Sequence, residues 1–241
     1  MKQKIATQII TDTTKAYDSI SEHFSSTRQY NWTEIKIITD KYVKPNSSIL
    51  DLGCGNGRLL SILPDQIEYL GIDISKYLIK EAKKYSRTHR KAKQKISFQV
   101  NSLMDFKTEK KYDYIFAIAS IHHIPSKSFR KKVFQNIFSF LKPGGLFICT
   151  NWQLNQTKYQ PCCNFTEKIL PGLDQNDCLI PWKNSNGQIL AQRYYHSFTE
   201  QEISQLLIST GFDVLKNYTE KFNIITISQK QSQTCEKSFS E

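Results

Sequence analysis

A glycine-rich turn between a short apolar strand and a helix is the feature that most limits how this chain can fold. The predicted strand is Ser48-Ile-Leu-Asp-Leu52, and the segment Asp51-Leu-Gly-Cys-Gly-Asn-Gly57 leads from it into a helix predicted over 57–63. At such a junction small residues let the backbone approach a ligand, and the first N–H groups of the helix are free to bind it. The turn therefore predicts an α/β fold with a ligand site at the carboxyl end of the first strand.

The spacing of the glycines indicates which kind of ligand binds there. A dinucleotide fold uses G-x-G-x-x-G to hold a pyrophosphate, and a P-loop adds a lysine. Here Gly53, Gly55 and Gly57 are evenly spaced, an acid precedes them, and that lysine is missing. The pattern favours a ligand with a carboxylate and an amine: Asp51 could hold the ammonium group, and the loop around Asn56 could line the amino-acid moiety.

Strands alternate with helices along most of the chain, which predicts a doubly wound, mostly parallel sheet with helices on both faces. The helix over 199–211 begins with a Thr-x-x-Glu capping box formed by Thr199 and Glu202. Further strands are predicted over 69–73, 96–100, 112–118, 146–150, 212–217 and 222–227, and further helices over 76–89 and 128–141.

The order of these elements suggests five parts. Helices over 1–43 are expected to form a lid over the ligand site, and 44–151 to form the binding core. The stretch 152–192 is rich in Asn, Gln, Pro and Cys and interrupts the alternation, so we interpret it as an insertion over the substrate site. Residues 193–229 are expected to complete the sheet, and 230–241 to form a disordered tail.

The charge of the chain points to a polyanionic partner. Its net charge is +11, and nine of the residues from Lys76 to Lys95 are Lys or Arg whereas Glu81 alone is acidic. A second basic cluster lies at 127–132. Solvated helix faces explain many such runs, but an excess over the whole chain favours nucleic acid over a small acid or a neutral metabolite.

The cysteines and the apolar runs limit the location of the protein. None of the six cysteines forms a C-x-x-C pair, and no signal peptide or run of eighteen apolar residues is present. We therefore expect reduced thiols, no metal site, no membrane span and a cytoplasmic location, with a nuclear pool left open. A metal site built from Cys162, Cys163 and Cys178 or a nearby histidine is the alternative.

Asp73 and a late glycine pair make the glycine turn more specific. Asp73 closes the second predicted strand about twenty residues after the turn, where an acid can accept both hydroxyls of a ribose. With Leu141-Lys-Pro-Gly-Gly145 before the fifth strand, the pattern resembles the class I S-adenosylmethionine-dependent methyltransferases. The resemblance implies a Rossmann-like seven-stranded sheet and S-adenosylmethionine as the cofactor. A plain tight turn, with Asp73 as a helix cap, is the alternative.

The resemblance also implies the remaining cofactor contacts. Where the family places an acid next to the adenine amine, this chain has Asn101-Ser102, and either side chain could still form the hydrogen bond. Ala119 follows the fourth strand, and Arg28 is expected to cover the cofactor together with Tyr17 and Phe24, although helix packing would also explain the two aromatic residues. Met104 and Phe106 could pack on the adenine or belong to the core.

Three outlying segments resemble the tRNA wobble-uridine carboxymethyl methyltransferase family. They are Tyr17-Asp-Ser-Ile-Ser-Glu-His-Phe-Ser-Ser-Thr-Arg28 with the following Trp32, Ala119-Ser-Ile-His-His-Ile124, and Ile180-Pro-Trp-Lys183 with Arg193-Tyr-Tyr-His-Ser-Phe198. The resemblance covers nearly the whole chain. It implies methyl transfer to the carboxylate of 5-carboxymethyluridine in the tRNA anticodon, and a small zinc-binding activator protein that covers an apolar edge of the sheet. The strand at 96–100, with Ile96, Phe98 and Val100 on one face, could be this edge, although burial under a helix would also explain these residues.

The implied reaction needs no general base, because a carboxylate is already ionised at neutral pH. Proximity, alignment and the exclusion of water are then expected to carry catalysis. The candidates for positioning the substrate are His122, His123, Trp182, Arg193, Tyr194, Tyr195 and His196. Two other readings stay open: a small-molecule methyltransferase, and a non-catalytic RNA-binding protein that retains the fold.

Overall fold

The computed structural model describes residues 1–28, 30, 32–154 and 172–232. Strands alternate with helices as the sequence predicts. The helices are α1 Gln3–Thr27, α2 Thr33–Tyr42, α3 Lys76–His89, α4 Lys127–Phe140 and α5 Glu200–Ile208, with short 3-10 helices at Arg58–Ile62 and Ile121–His123. The strands are β1 Ser47–Leu52, β2 Ile67–Asp73, β3 Lys95–Val100, β4 Tyr112–Ile118, β5 Leu141–Trp152, β6 Asp177–Lys183, β7 Ile189–His196, β8 Phe212–Glu220 and β9 Asn223–Lys230.

Seven strands form one sheet in the order β3-β2-β1-β4-β5-β9-β8. The first five run parallel, whereas β9 is antiparallel to both of its neighbours, β5 and β8. The order reverses between β1 and β4, and in such sheets ligands bind beyond the carboxyl ends of the strands at this point. The sheet confirms the predicted Rossmann-like α/β fold.

Alternate residues of the central strand β4 hold the two faces of the sheet against separate cores. Tyr114 and Phe116 pack in one cluster with Ile35 of α2, and Ile115 packs in the other with Phe134 of α4. Successive side chains of a strand point to opposite faces, so a strand covered on both sides must be apolar at nearly every position. This explains the near-continuous apolar run of β4.

Local signals in the sequence set the ends of two helices. The Ser75 side chain accepts a hydrogen bond from the N–H of Leu78 at 3.2 Å and starts α3, which has the predicted bounds. The Thr199 side chain accepts from the N–H of Glu202 at 3.1 Å and starts α5, so the predicted N-cap is confirmed. Such caps satisfy N–H groups that have no partner inside the helix.

Several predicted boundaries differ from the structure by one to three residues, and two elements differ more. The predicted helix over 57–63 is a single 3-10 segment, Arg58–Ile62, because Pro64 follows too closely for a longer helix. The fifth strand begins at Leu141, five residues before its predicted start. Leu141 already pairs with Tyr112, and the ladder then shifts register before it continues.

The stretch interpreted as an insertion contains regular structure. β6 and β7 pair as an antiparallel hairpin, so residues 193–196 lie in this second, two-stranded sheet and the return to the main sheet begins later. The many polar residues of the segment hide the alternation of its strands. Residues 155–171, with the Cys162-Cys163 pair, and most of the predicted tail lie outside the described residues.

Candidate active site

A pocket lies at the carboxyl edge of the large sheet, where the order of the strands reverses. Its floor comes from the residues that follow β1, β2 and β4, which include Gly53, Asp73 and Ala119. Helix α1 and strand β7 cover it through Tyr17 and Arg193. Helix α1 therefore forms one wall of the pocket, whereas α2 packs against the sheet through Ile35 and Ile38.

The glycine turn brings the loops after β1 and β4 into close contact. Gly53 has φ +74°, and a Cβ built on it would lie 2.5 Å from the Cβ of Ser120. Ser120 in turn donates a hydrogen bond to the Leu52 carbonyl at 2.7 Å. Gly57 has φ +77°, and its Cβ would lie 3.1 Å from that of Ala82 in α3. Only glycine satisfies both the backbone angle and the spacing at these two positions.

Asp73 is held at the rim of the pocket by backbone donors. Its Oδ2 accepts from the N–H of Gly55 and its Oδ1 from the N–H of Ser75, both at 2.9 Å. A carboxylate oxygen has a second lone pair, so each can accept one further hydrogen bond from a ligand hydroxyl. Burial raises the pKa of Asp73 to about 6, although these backbone donors oppose the rise.

Asp51 is a second buried carboxyl group in the pocket. Its Oδ2 accepts from the Tyr69 hydroxyl at 2.6 Å, and the residue is 2% exposed. Burial raises the pKa of Asp51 to about 7, and the nearby Asp73 adds to the rise while the Tyr69 hydrogen bond opposes it. Two buried carboxyl groups at one end of a pocket favour a ligand that is positively charged there.

Most of the predicted cofactor residues line this pocket. They are Arg28, Asp51, Gly53, Gly55, Asn56, Asp73, Ser102 and Ala119. Two others shape it from behind: Gly57 packs on α3, and the Asn101 N–H donates to the Asp73 carbonyl at 3.0 Å. Of the candidates for adenine packing, Met104 lines the pocket as well as the core, whereas Phe106 lies in the core.

His122 and His123 lie in the loop after β4 and both face the pocket. The Nδ1 of His122 accepts from the Trp152 N–H at 3.1 Å. His123 lies with its Nδ1 2.7 Å from the Tyr194 carbonyl and its Nε2 2.7 Å from the Tyr17 hydroxyl. Since a carbonyl can only accept, Nδ1 carries the proton of the neutral ring and Nε2 accepts from Tyr17.

Desolvation keeps both of these histidines neutral. It lowers the pKa of His123 to about 3, although the hydrogen bond to the Tyr194 carbonyl opposes it, and it lowers the pKa of His122 well below its usual value. The Arg193 guanidinium adds to the lowering at both rings. Because both His123 nitrogens already have partners, this ring supports the wall of the site.

Strand β7 divides the predicted substrate residues between two environments. Arg193 and Tyr195 point into the pocket. Tyr194 and His196 point the other way, and both hydrogen-bond to the Asp177 carboxylate at 2.7 Å. The period of two along a strand produces this division. The aromatic-arginine segment therefore supplies two pocket residues and two buried residues behind them.

Aromatic rings surround the Arg193 guanidinium. Its Cζ lies 4.7 Å from the Trp182 ring centre and 5.2 Å from that of Tyr195, and the residue is 4% exposed. Trp182 also lies 5.2 Å from the Cζ of Arg28 and donates its indole N–H to the Nδ1 of His23 at 2.7 Å. The hairpin and α1 thus meet at Trp182, next to the pocket lining.

The sequence patterns did not point to several of the lining residues, among them Trp152, Arg58 and Thr13. Trp152 ends β5 and stacks on Tyr195 at 5.2 Å, Arg58 follows the glycine turn, and Thr13 lies about one turn before Tyr17 in α1. The position of Trp152 at the carboxyl end of a parallel strand was the one available signal. Arg58 and Thr13 are brought in by tertiary packing alone.

Two features are missing from the part of the chain that the structure describes. Within it, no group of three or more His, Cys, Asp or Glu side chains could hold a metal ion. None of its helices is long and apolar enough to cross a membrane.

Comparison with known families identifies the family of this chain. The methyltransferase domain family matches residues 43–202, which include the glycine turn, Asp73, the β4 loop and the hairpin. The chain belongs to this family.

The relatives of this methyltransferase confirm the resemblance to the carboxymethyluridine enzymes. A Schizosaccharomyces pombe protein named tRNA (carboxymethyluridine(34)-5-O)-methyltransferase is 25% identical, over 90% of this chain and 95% of its own length. An Arabidopsis thaliana protein of the same name is 32% identical over 61% of this chain, but the match spans 35% of that longer protein.

Solved structures support the fold of the methyltransferase. A SAM-dependent methyltransferase from Methanosarcina mazei has a TM-score of 0.70 at 21% identity, over 81% of this chain and 98% of the other. A methyltransferase in complex with the Haloferax volcanii Trm112 methyltransferase activator has a TM-score of 0.66 at 15% identity, over 92% and 99% of the two chains.

A matched pair of glycine variants tests the close contact at the turn. Gly53→Ala and Gly187→Ala impose the same backbone strain, because the φ angles are +74° and +78°, but an added Cβ meets Ser120 at the first site and open space at the second. We expect Gly187→Ala to lower the free energy of unfolding by about 1 kcal/mol, and Gly53→Ala to lower it further and to weaken S-adenosylmethionine binding in calorimetry. Equal behaviour of the two variants would contradict this geometry.

The raised pKa of Asp51 predicts a pH-dependent stability. Between the ordinary Asp pKa of 3.8 and the folded value of about 7, the folded state keeps a proton that the unfolded chain has lost. The contribution of Asp51 to the free energy of unfolding therefore falls as pH rises from 4 to 7, by an amount on the order of 4 kcal/mol, whereas the neutral His122 and His123 contribute in the opposite direction. Asp51→Asn removes the contribution of Asp51, so its stability relative to the wild type should rise over this pH range in urea titrations, whereas that of the exposed Asp105→Asn should not. If the free energy of unfolding changed with pH in the same way in the wild type and in both variants, the raised pKa of Asp51 would be refuted.

Proposed function

We propose that this methyltransferase transfers a methyl group from S-adenosylmethionine to the carboxylate of 5-carboxymethyluridine at the wobble position of tRNA. One observation carries the proposal: the pocket contains a buried cation, Arg193, whose Nε has no hydrogen-bond partner among the described residues. A guanidinium in such a place calls for an anion to pair with it, and a carboxylate matches its planar fork of donors.

The donor end of the pocket fits S-adenosylmethionine. Its sulfonium and ammonium charges would offset the buried carboxyl groups of Asp51 and Asp73, and its ribose hydroxyls match the free lone pairs of Asp73. When bound there, the cofactor supplies an electrophilic methyl group. Gly53, Gly55 and Asn56 line the same end and would hold the amino-acid moiety.

The acceptor end has the chemistry to hold a uracil base with a carboxylate. Arg193 would bind the two carboxylate oxygens, while the stacked rings of Trp152 and Tyr195 offer apolar surface to a splayed-out base. Arg193 is the only residue of these with a full charge. Its fixed position would therefore orient the attacking oxygen.

The site needs to align the acceptor rather than deprotonate it. A carboxylate is ionised at neutral pH, and His122 and His123 are kept neutral, the latter with both ring nitrogens engaged. What the residues of the chain provide is proximity, orientation and exclusion of water by Tyr17 and the aromatic rings. This agrees with a mechanism that has no general base.

The exposed basic face of α3 favours tRNA over a small acid. Its solvent-facing residues are Lys76, Lys80, Lys83, Lys84 and Arg87, and Arg90 follows the helix. A polyanion such as tRNA would bind more tightly because its phosphates can pair with this face, whereas a small carboxylic acid would contact only the pocket. The names of the relatives support the same substrate.

Labelled cofactor distinguishes the candidate functions. The protein should transfer label to tRNA that carries 5-carboxymethyluridine, and the label should be released by mild base because it is an ester. Transfer only to small carboxylic acids would favour a small-molecule methyltransferase. Failure to bind the cofactor at all would favour a non-catalytic RNA-binding protein.

Two variants test the division of the pocket. Arg193→Ala should lower kcat/KM for this tRNA by about 10- to 100-fold, because it removes charge-assisted hydrogen bonds, and leave cofactor affinity near that of the wild type. Asp73→Ala should weaken cofactor binding by a similar factor. Calorimetry and steady-state kinetics measure the two effects. If both variants weakened cofactor binding equally, the assignment of the donor end and the acceptor end of the pocket would be wrong.

We also propose that a small zinc-binding activator protein binds along β3. This strand is an edge of the large sheet, and its main chain on one side has no strand partner within the described part of the chain. Ile96 and Phe98 pack into the core, while Val100 is 53% exposed. A protein chain can extend such an edge through backbone hydrogen bonds.

The activator proposal predicts which edge matters. Val100→Asp should abolish co-purification with a co-expressed Trm112-type activator, because it places a charge in the interface. Leu215→Asp is the matched control, since Leu215 is 48% exposed on β8 at the opposite edge. Loss of co-purification in the control alone, or in neither variant, would contradict the assignment of β3 as the strand that binds the activator.

A further inference from the structure

A buried chain of alternating charges lies behind β7, on the side away from the pocket. It runs from Arg130 in α4 through Glu202 in α5 and His196 in β7 to Asp177 in β6. Arg130, His196 and Asp177 are each less than 10% exposed. Four elements that meet around the insertion are therefore linked by one network, and the methyl-transfer chemistry described above does not use it.

His196 lies between two carboxylates. Its Nδ1 is 2.7 Å from Asp177 Oδ1, and its Nε2 is 2.9 and 3.0 Å from the two oxygens of Glu202. Ionised carboxylates only accept hydrogen bonds, so both ring nitrogens must carry a proton and the ring is an imidazolium. Asp177 accepts two further hydrogen bonds, from the Tyr194 hydroxyl at 2.7 Å and the Asp174 N–H at 2.9 Å.

The network fixes the strand that carries Arg193. Tyr194 and His196 anchor one face of β7 to Asp177, while the Tyr194 carbonyl accepts from His123 at 2.7 Å. Arg193 directly precedes Tyr194 in β7 and points to the opposite face, into the pocket. A shift of β7 would therefore move the guanidinium relative to the methyl donor.

We propose that Asp177 and His196 are positioning residues that hold Arg193 in register with the bound cofactor through the imidazolium bridge. The inference rests on the proposed function, because it assumes that Arg193 aligns the acceptor carboxylate. A misplacement of about 1 Å can cost on the order of 100-fold in rate even when it arises away from the reacting atoms. Neither residue touches the substrate in this scheme.

The groups around His196 determine its pH dependence. Burial alone would lower its pKa, but the hydrogen bonds to Asp177 and Glu202 raise the pKa overall, and the nearby Arg130 opposes them. Lys127 and Arg130 both act on Glu202, whose pKa is lowered chiefly by His196 against the effect of burial. The charge of Asp174 helps to raise the pKa of Tyr194, and the charge of His196 helps to lower the pKa of His122 on the other side of β7.

The sign of the pH effect follows from the raised pKa. The bridge is complete while His196 is protonated and is lost as pH rises through its folded pKa. Removing either carboxylate charge lowers that pKa, so the loss must then begin at a lower pH. Replacing a residue that only fills space in the core would not change the pH at which activity is lost.

The experiment compares Asp177→Asn and Glu202→Gln with the wild type and with Asp213→Asn, a matched change at an exposed position of β8. For methylation of carboxymethyluridine tRNA we expect kcat to fall about tenfold or more in the first two variants. The KM for tRNA and the Kd for S-adenosylmethionine should change less than threefold. The alkaline edge of the kcat profile should move to lower pH in both variants and stay in place in the control.

Nitrogen NMR of the His196 ring separates this inference from the proposed function. If the wild type does not methylate that tRNA, the proposed function fails, but the NMR titration still reports whether His196 is an imidazolium at pH 7 and whether Asp177→Asn perturbs the Arg193 Nε signal. A neutral His196 or an unmoved Arg193 signal would overturn the inference. So would unchanged kinetics in both variants, an alkaline edge that does not move, or an equal loss of cofactor affinity. If Asp177→Asn does not fold, Glu202→Gln alone decides.

Discussion

A buried guanidinium at the end of the pocket is the constraint on which the account depends. Arg193 is almost fully desolvated among Trp182, Tyr195 and other rings, and its Nε has no partner within the described chain. The aromatic faces and the side-chain hydrogen bonds to Tyr17 and Tyr195 stabilise this cation in part, and a negative charge beside the free Nε would offset the rest of the cost of its burial. The carboxylate of the proposed acceptor would supply this charge, whereas a neutral base would leave the Nε of Arg193 without a partner.

The opposite end of the pocket has the opposite electrostatics. Asp51 and Asp73 are buried with raised pKa values, so this end favours a ligand with positive charge. The pocket is therefore polarised, with buried carboxyl groups at one end and a guanidinium at the other, as the proposed transfer from a cationic donor to an anionic acceptor requires. Parallel strands explain how such a pocket arises, because β1, β2 and β4 all end at the same edge and each contributes a loop.

Local rules predicted much of this site from the sequence. The bounds of α3 and β4, the cap at Thr199 and the turn around Gly53 depend on neighbouring residues, and each is found as expected. The two strands of the hairpin are separated by residues 184–188 alone, but the Asn- and Gln-rich composition of the segment around them hides their pattern. Had residues 189–196 been recognised as a strand, a period of two would have separated the pocket residue Arg193 from the anchoring His196.

Nitrogen NMR of Arg193 in the complex with S-adenosylhomocysteine tests the central claim most directly. Adding 5-carboxymethyluridine should shift the Nε–H resonance and slow its exchange with solvent, because the carboxylate supplies the missing partner. Its methyl ester and plain uridine should leave the resonance where it was. The same response to all three nucleosides, or a response to none of them, would contradict the assignment of Arg193 as the acceptor site.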